Sequence, residues 1–97
     1  MKLYLADYHL EACRLCLAEH KVEEAESHFN IAADMINKMG YGRRQPEILL
    51  LKSQLHFAKG KKQESQKMLA EAKSSFEKMG IKMWDWEVRE MERKINR

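Results

Sequence analysis

The sequence predicts an all-α chain of two helical hairpins closed by a capping helix. Three observations predict it. The chain matches itself at an offset of 40 residues, its apolar residues recur at spacings of three and four, and it contains one Pro and four Gly. Slid by 40, Leu10, Leu15, Ala18, Lys21, Glu24 and Ala32 fall on Leu50, Leu55, Ala58, Lys61, Glu64 and Ala72, and Lys38-Met39-Gly40 falls on Lys78-Met79-Gly80. A fixed period of this length marks a helical repeat, and apolar spacings of three and four mark one face of a helix.

Each element follows in order. Leu3, Ala6, Leu10, Cys13 and Leu17 form a stripe that predicts a helix over 3–18. Glu19-His20-Lys21 breaks it, and Val22, Ala25, Phe29, Ala32, Ile36 and Met39 predict a second over 22–39. Gly40 is placed to end that helix in the left-handed conformation. Residues 41–45 connect to Pro46, which suits a first helical turn because its missing N–H has no partner there. Ile48, Leu51, Leu55 and Ala58 predict a third helix over 46–59. Lys59-Gly60-Lys61 breaks it, and Ser65, Leu69, Ala72, Phe76 and Met79 predict a fourth over 62–79, closed by Gly80. Trp84, Val88, Met91 and Ile95 predict a cap over 84–96. All 97 residues form one domain, with units at about 6–40 and 46–80.

Bulk composition narrows the function. The 18 basic and 15 acidic residues leave a net charge of +3, mild for a nucleic-acid binder, which concentrates its excess charge. No apolar run approaches the roughly 18 residues that a membrane span needs, and Asp7, His9 and Glu11 interrupt any leader-like start. Cys13 and Cys16 fall inside a helical pattern and read as reduced thiols of a cytoplasmic protein.

The chemical motifs are sparse. His9-x3-Cys13-x2-Cys16-x3-His20 has the residue types of a zinc site. Along one helix, however, those four span roughly 16 Å, whereas zinc holds its ligands at about 2.0–2.3 Å. They read as packing positions, and no metal or cofactor is expected. A nucleophilic cysteine needs a positioned base and a lowered pKa, and neither phosphate-binding loop nor dinucleotide fingerprint accompanies these thiols. No catalysis is expected. The basic loops Arg43-Arg44 and Lys59-Gly60-Lys61-Lys62 allow a second reading, a regulator that contacts phosphates. Trp86 stands two residues from Trp84 and so points elsewhere, which makes it a candidate contact residue.

The small residues carry a resemblance. Cys13 and Ser53 stand in the first helix of each unit, Ala25 and Ser65 early in the second, Ala32 and Ala72 later in it, with Phe29 and Leu69 as the large residues between. This arrangement resembles the tetratricopeptide family over about residues 6–80. His9, Cys16, Leu49 and His56 replace the family's usual large aromatics, and the units are longer than the common 34 residues. Units of such length are similar to those in regulatory arrays of bacterial and archaeal signalling proteins, which implies a piece of a longer array.

The resemblance implies a protein–protein interaction module whose first helices line a concave groove for a partner helix or peptide. Its groove residues would be Asp7, Leu10, Glu11, Arg14 and Leu17 from the first unit, and Glu47, Leu50, Leu51, Gln54 and Phe57 from the second. The groove is expected to be apolar at its centre. The uncovered N-terminal helix also leads to an expected homodimer, or to contact with a neighbouring repeat.

Overall fold

The computed structural model describes residues 3–40 and 44–96. The connector 41–43, with Arg43 of the first basic loop, and the side chains of Leu3 and Tyr4 lie outside the described residues. The architecture is all-α, as the periodicity predicts. Among the described residues five helices follow in order: α1 Leu3–Ala18, α2 Val22–Met39, α3 Gln45–Ala58, α4 Lys62–Met79 and α5 Asp85–Ile95. The third starts one residue earlier than expected, with Pro46 in its first turn. The fifth starts one later, because Trp84 holds the N-cap position. No helix among the described residues is long and apolar enough to cross a membrane.

Helices α1 and α2 pair as one hairpin and α3 and α4 as another, α3 lies against α2 and α1, and α5 packs on α4 and α3. The 40-residue period is physical as well as textual. Gly40 takes φ 66° and ψ 29°, and Gly80 takes φ 67° and ψ 26°. Both lie in the left-handed region that favours glycine at a helix end, and each donates its N–H back to the last turn, to the Asn37 and Glu77 carbonyls.

The turns inside the hairpins also match. Lys21 N–H donates to the Cys16 carbonyl and Lys61 N–H to the His56 carbonyl, each at 2.8 Å. At their centres stand Gly60, with φ 80°, and His20, with φ 64°. An L side chain in this region costs roughly 1–2 kcal/mol, so the first turn is strained where the second is not. His20→Gly is therefore expected to stabilise the fold by about 1 kcal/mol once the added freedom of the unfolded chain is subtracted. The urea midpoint should rise without a change in slope.

Among the described residues two apolar clusters form the core. The first joins Ala6, Leu10, Cys13 and Cys16 of α1 to Ala25, Phe29, Ala32 and Ile36 of α2, and to Ile48, Leu51 and Leu55 of α3. The second joins Leu50 of α3 to Leu69, Ala72 and Phe76 of α4, and to Val88, Met91 and Ile95 of α5. Thus α3 is buried on two sides, against α2 and against α4 with α5. Met39 and Met79, which close the apolar stripes in the sequence, are exposed.

The small residues allow each hairpin to cross closely. At the α3–α4 crossing Ser53 and Ser65 are fully buried, and their hydroxyls donate reciprocally to each other's backbone carbonyls, each at 2.8 Å. Buried hydroxyls need such partners, because an unpaired one keeps its desolvation penalty. The first hairpin solves the same crossing with Cys13 and Ala25, both fully buried.

Candidate interaction cleft

An open cleft of about 600 Å³ lies between the C-terminal parts of α1 and α3 and the outer turns of α5. Leu17 of α1, Phe57 of α3 and Met91 of α5 supply apolar surface. Arg14, Gln54, Glu87, Glu90 and Lys94 supply charge and hydrogen-bonding groups, and Trp86 stands on the rim with 73% of its surface exposed.

Arg14 anchors the site. Its guanidinium lies 4.3 Å from the centre of the Trp84 ring, within cation–π range. It donates to Glu11 at 2.7 Å and to Glu47 at 2.5 Å, while its Nε lies 3.9 Å from Glu87 without a hydrogen-bond partner among the described residues. Glu47 also accepts from Arg44 at 3.1 Å, and Arg44 donates to Asp7. Three helices are thereby tied by one network. Glu47 and Arg14 keep only 7% and 15% of their side-chain surface exposed, so this pair is largely withdrawn from water. Gln54 reaches Glu87 at 3.4 Å.

Of the residues expected to line a groove, the structure brings Arg14, Leu17, Gln54 and Phe57 to the cleft. Glu11 and Glu47 border a neighbouring hollow beside Trp84, and Asp7 is tied to Arg44. Leu10, Leu50 and Leu51 have at most 1% of their surface exposed and belong to the core. Leu10 and Leu51 pack with α2 in the first cluster, whereas Leu50 is covered by α5, which lies across α3 as well as α4 and brings Val88, Met91 and Ile95 onto it. Where the sequence led to an expected apolar surface, the Arg14–Glu47 ion pair stands between the cleft and the neighbouring hollow. The α5 contributions, Glu87, Glu90, Met91 and Lys94, escaped sequence reasoning, which read that helix only as a cap. Only the offset of Trp86 from the apolar stripe signalled a contact residue there.

The other chemically suggestive residues are placed as follows. His9 and His28 meet through their Nδ1 atoms at 2.9 Å, with Tyr8 edge-on to both rings. Cys13 is fully buried, and burial pushes its thiol pKa up to about 11. Among the described residues no three His, Cys, Asp or Glu side chains converge as a metal-holding group. In the basic loops, Arg44 is engaged by Asp7 and Glu47, and Lys59 by Glu26.

His56 has a buried Nδ1 with no hydrogen-bond partner among the described residues. Burial, and then the Lys52, Lys61 and Lys59 charges, hold its pKa below the ordinary 6.5 against the opposing pull of Glu64. The folded protein then binds fewer protons here than the unfolded chain, so this contribution is present above about pH 6.5 and is lost as pH falls through the folded value. Between pH 7.5 and 5.5 the wild-type urea midpoint should drop further than that of His56→Leu. Equal drops would contradict the assignment.

No family model, no curated protein and no solved structure matches this chain.

Proposed function

We propose that the protein is a protein–protein interaction module of the tetratricopeptide type, which holds a partner helix or peptide in the cleft between α1, α3 and α5. The observation that carries this reading is Trp86, exposed at the rim of a cleft whose walls are the half-buried Phe57 and Leu17. A large aromatic held in water beside a partly apolar hollow has the character of an interface anchor. A volume of about 600 Å³ fits a few partner side chains, and lies in the range of ordinary ligand sites.

The charges set the polarity of the partner. Arg14 is committed to Glu47 and Glu11, while Glu90, ion-paired with the exposed Arg93 at 2.7 Å, and Lys94 stand at the rim and face an incoming chain. A partner with both signs of charge around an apolar anchor suits this rim. No catalytic step belongs to this reading, and the reduced thiols of Cys13 and Cys16 accord with work in the cytoplasm.

The test is selection of binders from a displayed library of helical peptides, followed by fluorescence anisotropy on one of them. Trp86→Ala and Phe57→Glu should each weaken binding by about tenfold or more, the effect of removing an interface anchor. Unchanged affinity in both variants would remove the cleft as the binding site.

A further inference from the structure

We infer that the outer face of α1 is a second docking site, which takes an amphipathic helix of a partner protein carrying a basic residue at one defined position. The inference rests on the internal repeat and is separate from the cleft. In the second unit, Ile48 and Leu55 of α3 are 7% and 4% exposed, because Phe29, Ala32 and Ile36 of α2 pack on them. Forty residues earlier, the same two places on α1 hold Tyr8 and Leu15, which are 61% and 59% exposed. With Leu5 they form an apolar stripe on consecutive turns of one helix, in the place where α3 receives a neighbour. The molecule therefore shows, within itself, what kind of element covers this surface: a helix with a large, a small and a large apolar residue spaced as in Phe29-x2-Ala32-x3-Ile36.

Charge then separates the missing helix from those the chain already has. At the end of the α2–α3 contact, Lys59 donates to Glu26 of the covering helix. The residue at the matching place just after α1 is Glu19, whose ion pair among the described residues is with its exposed neighbour Lys21 at 3.4 Å. The sign is reversed, so the matching helix carries Lys or Arg three residues before its first large apolar residue. No free helix among the described residues offers that. At the corresponding place α4 has Gln66, and its stripe is already covered by α5. A second copy would bring only the same face, with Glu19 at its end again. A partner helix is thus favoured over the homodimer that the uncovered face alone suggests.

A charge-swap experiment tests this on the full chain. The probes are two fluorescein-labelled peptides with the sequence of residues 22–39, one unchanged and one with Glu26→Lys. The Glu26→Lys peptide should bind the wild type roughly two- to fivefold more tightly, the usual worth of an exposed ion pair. Glu19→Lys in the protein should reverse that order, and Leu15→Arg should abolish binding of both while its circular dichroism stays native. Phe57→Glu, in the cleft, should change neither affinity. Failure of both peptides to bind, loss of binding in Phe57→Glu, or an order of affinities indifferent to Glu19→Lys would each overturn the inference. So would a concentration-dependent dimer in sedimentation equilibrium that Leu15→Arg dissociates, because a second copy would then be the occupant.

Discussion

Leu50→Glu is expected to unfold the protein, whereas Phe57→Glu, seven residues further along the same helix, should leave it folded. Leu50 is fully buried between α3, α4 and α5, among Leu69, Phe76, Val88 and Ile95. A carboxylate there has no partner within the apolar cluster. Its burial, together with the lost packing, costs several kcal/mol or more, against a total stability of about 5–15 kcal/mol for an ordinary domain. Phe57 is half-buried on the wall of the open cleft, where a carboxylate reaches water. Circular dichroism of the two variants should therefore differ qualitatively, with helicity lost in the first and retained in the second. A folded Leu50→Glu protein would mean that α5 does not close over α3.

Removal of Glu47 should have the second-largest effect. Its carboxylate serves two guanidiniums, those of Arg14 and Arg44, and the Arg14 pair is largely withdrawn from water. Glu47→Ala leaves Arg14 desolvated with, among the described residues, only the exposed Glu11 as a direct hydrogen-bond partner. Breaking a buried pair from one side costs about 3–5 kcal/mol. Replacing both partners with apolar residues of similar volume, as in Arg14→Met with Glu47→Leu, should recover most of that loss, since such exchanges are often neutral. Urea unfolding of the single and double variants gives the comparison. A double variant as unstable as the sum of its two single changes would show that the ion pair is not the unit that matters.

The helices were legible in the sequence because their signals are local. Apolar spacing, Gly40 and Gly80 at the helix ends, and Pro46 at a helix start fix each element within a residue of its observed bounds. The small residues at the crossings were legible for the same reason, since the 40-residue offset aligns Cys13 with Ser53 and Ala25 with Ser65. Leu50 was misplaced because α3 is apolar on several sides, with Ile48, Leu50, Leu51 and Leu55 all buried. A helix covered on two sides has no single stripe from which an open face can be read. The ion network was not legible either. Arg14 and Glu47 are 33 residues apart and Arg44 and Asp7 are 37 apart, so only the docking of the hairpins brings them together. The cleft depends in turn on where α5 lies, and its three-and-four stripe shows that it packs without showing across which neighbours.

The most direct test of the interaction reading is to map amide chemical shifts with ¹⁵N-labelled protein, as a peptide selected for binding is titrated in. Perturbations should concentrate on Leu17, Gln54, Phe57, Trp86 and Lys94, together with the Trp86 indole N–H, and should vanish in Phe57→Glu. Perturbations confined to the exposed surface of α4, with the cleft residues unmoved, would contradict it.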